Sequence, residues 1–328
     1  MPILLTILAA LLLAYLAGPR TRKPRLDAAL PPPPDSPAAV ESFLQQREAS
    51  LPVRPDNQAR VVWAGKAGQP TELCLVYFHG YSASWREGAP INLATAKRYG
   101  ANLLLTRLQA HGVVSAEPLL DFDADAMWED AKLALVQAHV LGKHVVLMAT
   151  SSGAPLALRL AAQHPDQVDG LILYSPNIRI RQPLAFLMSW PWGLQIARLV
   201  KGSKYNEWTD SAEVYKYWYR RQRLEGATQL QAMLDNALGP QILAAVKAPS
   251  FVGAYYKDEA HQDPTVSVPA IRELLTQLGT PKGALRYVEY ANAESHVIGC
   301  DLTSKDWPAV QADTWKFLEE VLHWQPKH

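Results

Sequence analysis

One serine in the sequence lies where an apolar run is followed directly by small residues. The segment from His144 to Leu158 reads HVVLMATSSGAPLAL, which predicts a buried strand that turns tightly into a helix at Ser151. Such a turn strains its central residue and tolerates only small residues two positions before and after it, as Ala149 and Gly153 are here. The small-x-Ser-x-Gly pattern therefore predicts that Ser151 is a nucleophile whose hydroxyl lies above the sheet.

A simpler interpretation of Ser151 is that it only caps the following helix, since serine is among the preferred N-cap residues. The neighbouring Ser152 shares the turn, but its side chain is expected to point away from the pocket. The nucleophile interpretation is preferred because the flanking residues meet the steric requirement of the turn.

A serine hydroxyl is a weak nucleophile and needs a general base, and the base needs a carboxylate that fixes its tautomer. His296 follows the last strand-like run, in the loop NAESHVIGC, where the carboxyl end of a strand would present it. Five other histidines are expected on the surface because they lie at the C-terminus or near helix ends: His139, His144, His164, His323 and His328. We therefore expect His296 to be the base.

Two aspartates compete to be the carboxylate partner of His296, both in the segment YYKDEAHQDPTVS. Asp263 stands three residues before Val266 and just ahead of a predicted helix, where it can aim its carboxylate toward His296. Asp258 lies nearer the end of the preceding strand and is the alternative. The order Ser, Asp, His along the chain is typical of strand-to-helix nucleophiles.

Two backbone amides are expected to bind the charge that develops on a substrate oxygen. One is the amide of Ser152, directly after the nucleophile. The other is the amide of Tyr81, in the loop HGYSAS that follows the apolar run ending at Phe78; Gly80 permits the turn of that loop. We expect His79 to organise the loop rather than to bind a metal, because no second His, Asp or Glu lies nearby at ligand spacing. No metal or cofactor is implied.

These residues must be positioned by alternating strands and helices. Six short apolar runs are candidates for buried strands: Leu73 to Phe78, Asn102 to Thr106, His144 to Met148, Gly170 to Tyr174, Phe251 to Tyr256 and Leu285 to Tyr290. Helical periodicity occurs between them, in Ala124 to Leu141 and in Ala270 to Leu278. This alternation predicts an α/β fold with a mostly parallel sheet covered by helices on both faces, and with the functional groups at the carboxyl ends of the strands.

The segment from Asn177 to about Lys247 breaks the alternation, because it contains no convincing strand and is rich in aromatic residues. These are Trp190, Trp192, Tyr205, Trp208, Tyr215, Tyr217, Trp218 and Tyr219. We interpret the segment as a mostly helical cap inserted between two strands. The aromatic side chains either fill the cap's own core or wall an apolar pocket that suits an acyl chain.

The first residues of the chain are apolar and uncharged from Pro2 to Ala17, and four basic residues follow at Arg20, Arg22, Lys23 and Arg25. The run is at the short limit for a membrane-spanning helix. No basic residue precedes it, so an uncleaved N-terminal anchor over residues 1–18 is favoured over a signal peptide. The basic flank favours a cytoplasmic catalytic domain, with a periplasmic or secreted one as the alternative.

A Pro-rich linker is predicted over residues 19–54, with four consecutive prolines from Pro31 to Pro34, and the catalytic domain over residues 55–328. The composition is balanced, with 32 Lys and Arg against 31 Asp and Glu, so no broad basic surface is available for nucleic acid. The only two cysteines, Cys74 and Cys300, are expected to be buried free thiols.

Taken in order, the motifs resemble the α/β-hydrolase superfamily, close to its bacterial carboxylesterase, monoglyceride-lipase-like and serine-aminopeptidase-like members, over about residues 60 to 325. They are His79-Gly80-Tyr81, the segment RLQAHG from Arg107 to Gly112, the turn from Ala149 to Gly153, Asp263 and His296. In that group the second of these segments usually reads Gly-His-Gly, and Ala110 replaces its first glycine here.

The resemblance and the site residues together predict a serine hydrolase that cleaves carboxylic esters, such as lipid-like or other apolar acyl esters, through an acyl-enzyme. An amide or peptide hydrolase is the alternative, with Glu207 or Asp210 of the cap as a carboxylate for a free amine. A further alternative is a non-catalytic binding protein that retains the fold, since fold alone does not fix function.

Overall fold

Strands and helices alternate along most of the chain in the computed structural model, which describes residues 2–327. The helices are α1 (Pro2–Leu16), α2 (Pro37–Ala49), α3 (Ile91–Tyr99), α4 (Ala124–Leu141), α5 (Gly153–Gln163), α6 (Gly193–Lys201), α7 (Leu224–Ala237), α8 (Pro240–Ala245), α9 (Val268–Gln277) and α10 (Trp307–Glu320). The strands are β1 (Arg60–Val62), β2 (Thr71–Phe78), β3 (Asn102–Leu105), β4 (Gly142–Thr150), β5 (Gly170–Tyr174), β6 (Tyr205–Glu207), β7 (Arg221–Arg223), β8 (Ser250–Ala254) and β9 (Leu285–Glu289). Met1, the first residue of the predicted anchor, and His328, a predicted surface histidine, lie outside the described residues.

Seven strands form the main sheet in the order β1-β3-β2-β4-β5-β8-β9. All neighbouring pairs are parallel except β1 with β3. The six predicted strands correspond to β2, β3, β4, β5, β8 and β9. The predicted mostly parallel sheet flanked by helices is therefore confirmed. Strand β1 was not predicted, because a three-residue strand carries too little periodicity to be recognised.

The two faces of the sheet are both apolar, as the sequence of β2 illustrates. Alternate residues such as Cys74 and Val76 pack with α4 and α5, whereas Leu75 and Tyr77 pack on the other face with α3 and α10. A strand buried on both faces reads as a continuous apolar run, because successive side chains point to opposite sides. Both cysteines are buried and free, as predicted.

The insertion between β5 and β8 contains α6, α7 and α8 together with a two-stranded antiparallel sheet formed by β6 and β7. The prediction that this segment has no strand is therefore wrong. Each strand has only three residues and is mostly polar, so its pairing depends on the partner strand rather than on an apolar pattern of its own. Helix α7 packs into the core of the main sheet through side chains such as Leu230 and Met233.

Helix α1 covers the apolar N-terminal run and is 15 residues long. At a rise of about 1.5 Å per residue it is shorter than the hydrocarbon core of a bilayer, which is about 30 Å thick. Within residues 2–327, the structure contains no helix with the length and apolar character that crossing a membrane requires. The predicted single-pass anchor, and the membrane orientation derived from it, are therefore not supported.

The segment predicted as a linker lies against the main sheet domain. Leu26 is buried in the core, and the indole of Trp128 in α4 donates a hydrogen bond to the carbonyl of Asp27 at 2.7 Å. Helix α2 carries Glu48, which forms a buried ion pair with Arg107 at 2.6 Å. The predicted domain boundary near residue 55 stays a prediction.

Candidate active site

Ser151 occupies the turn between β4 and α5, with its backbone in the left-handed region at φ 52°. A residue other than glycine pays about 1–3 kcal/mol for this conformation, so the surrounding contacts must hold it in place. The amide of Ser151 donates to the carbonyl of Tyr174 at 3.0 Å, and its carbonyl accepts the amides of Ala154 and Asn177. These bonds fix the serine at the carboxyl edge of the sheet.

The two small residues of the motif have distinct steric roles. A Cβ atom at Gly153 would lie 2.4 Å from the carbonyl oxygen of Phe78, so α5 can start against β2 only if this residue is glycine. Ala149 is fully buried within β4, where it is in register with Phe78 on one side and Leu173 on the other. The sequence pattern therefore reflects the close packing of the turn.

Asp263 and His296 follow β8 and β9 at the same edge of the sheet, and the structure pairs them. The His296 Nδ1 atom lies 2.8 Å from Oδ2 of Asp263, whose other carboxylate oxygen accepts the amides of Thr265 and Val266. Because the carboxylate can only accept, Nδ1 carries the proton and Nε2 keeps a free lone pair. This is the tautomer that a general base requires.

The pair shifts the pKa of both groups. Burial alone would raise the pKa of Asp263, but the charge and hydrogen bond of His296, with the amides of Val266 and Thr265, outweigh it and lower the pKa below its usual value. Burial would likewise lower the pKa of His296, but the attraction and hydrogen bond of Asp263, helped by the charge of Glu87, raise it above the usual value. Each group thus stabilises the charged form of the other, and the Asp263 carboxylate is fully buried.

Asp258, the alternative acid, is not brought to His296. It is exposed and instead pairs with His261, with 2.8 Å between its Oδ1 and the His261 Nδ1 atom. The hydrogen bonds from His261 lower the pKa of the Asp258 carboxyl. Asp258 therefore stabilises its own surface turn.

The loop after β2 brings Tyr81 and Gly80 to the same edge. Within residues 2–327 the amides of Tyr81 and Ser152 donate no hydrogen bond to the protein, which leaves both free for a ligand oxygen. A Cβ atom at Gly80 would lie 2.9 Å from Cβ of Ser151, so the absence of a side chain there allows the loop to approach the serine.

His79 fixes this loop from beneath. Its Nε2 accepts the amide of Leu108 at 3.0 Å, so the proton must be on Nδ1, which donates to the carbonyl of Gly80 at 2.9 Å. Burial, reinforced by the neighbouring His111, lowers the pKa of His79 well below its usual value and keeps the ring neutral. Among the described residues no cluster of His, Cys, Asp and Glu could hold a metal ion.

The insertion between β5 and β8 contacts the loop that carries Tyr81. The amide of Tyr219 donates to the carbonyl of Ser82 in the loop after β2, and a Cβ atom at Gly226 would lie 2.5 Å from the Tyr81 hydroxyl. Trp218 and Tyr219 are buried there, whereas Trp190 and Trp192 are exposed. Glu207 and Asp210, the predicted carboxylates for an amine, are both exposed.

Ser151 itself is only 5% exposed. A surface depression of about 620 Å³ lies elsewhere, between the starts of β2 and β4 at the opposite end of the sheet, and is lined by residues such as Thr71 and Lys143. Its position excludes it from the chemistry of Ser151.

Sequence reasoning missed Glu87, Tyr77 and Arg181. The guanidinium of Arg181 donates to the backbone carbonyl of Asp263 at 2.8 Å and so helps to hold the acid in place. Glu87 is buried beside the loop after β2. The only sequence signal for Glu87 is a carboxylate among residue types that are usually buried, in SWREGAPI, and such a signal is weak.

One family model and many solved structures match parts of the chain. A family model described as serine aminopeptidase, S33, matches residues 120–279, just under half of the chain. No curated protein is a significant match to the sequence.

Solved structures match most of the chain at low sequence identity. One belongs to a report on LipS and LipT, two metagenome-derived lipolytic enzymes, with 16% identity and a TM-score of 0.65 over 82% of this chain and 99% of that chain. A monoacylglycerol lipase from Paleococcus ferrophilus has 12% identity and a TM-score of 0.58 over 80% and 98%. Est1E from Butyrivibrio proteoclasticus, with ferulic acid bound, has 15% identity and a TM-score of 0.55 over 81% and 95%. At such identities the similarity shows a shared fold, the α/β-hydrolase fold that the motifs led us to expect.

Proposed function

The chain has the α/β-hydrolase fold, and on that premise we propose that it is a serine hydrolase that cleaves carboxylic esters through an acyl-enzyme. One observation carries the proposal. Ser151, held in a strained backbone at the end of β4, lies at the same edge of the sheet as the buried pair of Asp263 and His296. A nucleophile and an oriented base at one edge are the elements that acyl transfer needs.

In the first half of the reaction the Ser151 hydroxyl attacks the ester carbonyl carbon while Nε2 of His296 takes its proton. The carbonyl oxygen becomes an oxyanion and accepts hydrogen bonds from the backbone amides of Tyr81 and Ser152. When the intermediate collapses, the bond to the leaving oxygen breaks and His296 returns the proton to the alcohol. The acyl group stays on Ser151 as an ester.

In the second half a water molecule attacks the acyl-enzyme, and His296 again takes the proton. The carboxylic acid leaves, and Ser151 recovers its proton from His296. Asp263 stays ionised throughout, since its amide bonds and its histidine partner lower its pKa. Its charge stabilises the imidazolium form of His296 in both halves.

Ester cleavage is favoured over amide cleavage by two observations. The lipolytic enzymes, the monoacylglycerol lipase and Est1E all share the fold, which supports an ester substrate by analogy. Glu207 and Asp210 are exposed, whereas a carboxylate that selects a free amine should face the buried serine. The description of the matching family as serine aminopeptidase keeps an amide or peptide substrate as the second candidate.

An apolar acyl chain is the proposed substrate group. Trp218 and Tyr219 of the cap are buried close to the loop that carries Tyr81. An aromatic wall of this kind suits a hydrocarbon chain. A series of p-nitrophenyl esters of increasing chain length tests this: kcat/KM should rise from acetate to a medium chain, whereas a preference for acetate would contradict an acyl pocket under the cap.

Labelling with a fluorophosphonate probe tests the nucleophile. Wild-type protein should label and the S151A variant should not. The matched control is S250A, because Ser250 is equally buried but lies at the start of β8, at the other end of the sheet. Equal labelling of wild type and S151A would overturn the assignment, and failure of wild type to label would favour a non-catalytic protein.

A further inference from the structure

Glu87 is a buried carboxylate that the mechanism above does not use. It lies in a short 3-10 turn, Trp85–Gly88, a few residues after the loop that carries Tyr81. Its side chain is only 2% exposed and has no cationic side chain bonded to it among the described residues. A buried carboxylate without a cation is costly, so its hydrogen-bond partners matter.

The partners of Glu87 lie in the loop and in the strands that carry the site. Its Oε2 atom accepts the amide of Gly80 at 2.5 Å and lies 3.4 Å from the hydroxyl of Tyr77. That hydroxyl bonds Oγ1 of Thr150 at 2.9 Å, and Thr150 directly precedes Ser151. A continuous path of hydrogen bonds therefore joins the loop after β2 to the turn of the nucleophile.

Glu87 is also close to the nucleophile in space. A Cβ atom built on Gly80 would lie 2.8 Å from Oε1 of Glu87 and 2.9 Å from Cβ of Ser151. The distance between Oε1 of Glu87 and Cβ of Ser151 is therefore no greater than the sum of those two distances.

The turn that carries Glu87 is tied to the loop that follows His296. Arg86 forms an ion pair with Asp301 at 2.7 Å, and the thiol of Cys300 donates to the carbonyl of Arg86 at 3.4 Å. The amide of Asp301 donates to the carbonyl of Ala89. The backbone of the turn that carries Glu87 is thus joined to that loop by residues on both sides of Glu87.

The electrostatic environment of Glu87 is consistent with a role in the site. Burial raises its pKa to about 7, although the Gly80 amide, the charge of His296 and the groups of Tyr77 and Trp218 oppose the shift. The carboxyl is therefore in balance between its two forms near neutral pH. Either form keeps an oxygen that can accept the Gly80 amide.

We propose that Glu87 is a positioning residue for the proposed ester hydrolysis: by accepting a hydrogen bond from the Gly80 amide it fixes the His79–Gly80 peptide, which adjoins the peptide that carries the Tyr81 amide, so that the Tyr81 amide faces the oxyanion. This rests on the proposed function. Without an acceptor at this place the buried Gly80 amide has no partner, and the loop rotates to find one. The Tyr81 amide then loses its alignment, and the oxyanion loses one donor.

The test compares four variants with wild type on one p-nitrophenyl ester. E87M fills the same space without an oxygen, E87A removes the side chain, and E87Q keeps an acceptor. D130N is the matched control. Asp130 is also largely buried, with its pKa raised by burial, but its carboxylate pairs with Arg47, which is not a residue of the site. Thermal melts identify variants that do not fold.

We expect E87M to lower kcat by about 100-fold or more while KM changes less than about 3-fold, since the lost interaction acts on the transition state. E87A should show the same loss of kcat, and it replaces E87M as the test of the positioning role if E87M does not fold. E87Q should recover kcat to within about 10-fold of wild type because it restores the acceptor. D130N should keep wild-type kcat.

Equal loss of kcat in E87M and E87Q would overturn the positioning role, as would an effect on KM alone or wild-type kcat in folded E87M. S151A in the same assay separates the two proposals. If S151A is inactive and E87M is not, only the role of Glu87 fails. If S151A hydrolyses the ester at the wild-type rate, the proposed function fails and the role of Glu87 with it.

Discussion

The residues around Ser151 show how environment divides similar side chains into different roles. Asp263 and Asp258 lie five positions apart on one loop, yet one is fully buried against His296 and the other is exposed beside His261. The sequence allowed both as acids and favoured Asp263 by its distance from the next helix. Which aspartate becomes the acid depends on which carboxylate the folded loop points toward His296. The order of residues along the chain specifies that only in part.

Asp263→Asn should lower kcat on the order of 1,000- to 10,000-fold while leaving the protein folded, because an amide no longer fixes the tautomer of His296 or stabilises its charge. Asp258→Asn on the same loop serves as control and should retain wild-type kcat, since the Asp258 carboxylate bonds only to Ala260 and His261 of its own surface turn. Steady-state kinetics of the two variants check this. A larger loss in the Asp258 variant would reverse the assignment of the acid.

The rate should rise with pH through the range above 6.5, because the base must be neutral and the pKa of His296 lies above its usual value. Loss of the Asp263 charge removes the main cause of that shift, so the acid limb of kcat/KM should move to lower pH in Asp263→Asn. The check is a profile of kcat/KM against pH for both proteins. An unmoved acid limb would mean that His296 is not the group that titrates.

The same pair links stability to pH with opposite signs. The raised pKa of His296 contributes stability that is present below its unfolded value and is lost as pH rises through the folded one. The lowered pKa of Asp263 contributes stability that is present above its unfolded value and is lost as pH falls through the folded one. Both contributions are therefore fully present between the usual pKa of an aspartate and the usual pKa of a histidine, and the pair stabilises the fold most in that range.

Among the elements, those with a complete apolar pattern of their own were predicted well. Helix α4 has the predicted bounds, and β5 likewise, because each buries a full face against the core. Strands β1, β6 and β7 were missed, since each has three residues and exists only by pairing with another strand. The buried carboxylate of Glu87 was missed for a similar reason, because its environment is formed by β2 and the loop after β9.

The contact between β2 and α5 depends on one glycine. Gly153→Ala should destabilise the fold by about 1–3 kcal/mol, because the added Cβ meets the Phe78 carbonyl at 2.4 Å and backbone cannot move aside. Gly283→Ala is the comparison, as a Cβ there would meet nothing within 4 Å. Denaturant unfolding measures both. Equal stability of the two variants would contradict the steric role of Gly153.

At the scale of the whole molecule, the chain before the sheet domain is part of the folded body. Helix α2 buries Val40 and Leu44 in the core, and its Glu48 reaches Arg107 in the loop after β3. That loop is also joined to the site, since His79 accepts the amide of Leu108. The predicted linker thus supports the loop network around the nucleophile.

Glu48→Ala should destabilise the protein by about 3–5 kcal/mol, because it leaves the buried guanidinium of Arg107 without the carboxylate that balances its charge. Glu213→Ala breaks the exposed pair with Lys216 and should cost about 1 kcal/mol or less. Unfolding free energies of both variants give the comparison. A loss at Glu48 no greater than that at Glu213 would contradict the stabilising role of the buried ion pair.

Trapping of the acyl-enzyme tests the central claim most directly. Rapid acid quenching of wild-type protein with a p-nitrophenyl ester, followed by intact-mass and peptide analysis, should show one added acyl group on the peptide that contains Ser151. The adduct should accumulate when the second half of the reaction is slower than the first, as a burst of p-nitrophenol would report. A burst whose acyl group maps to another residue, or an adduct that persists in the S151A variant, would contradict the account.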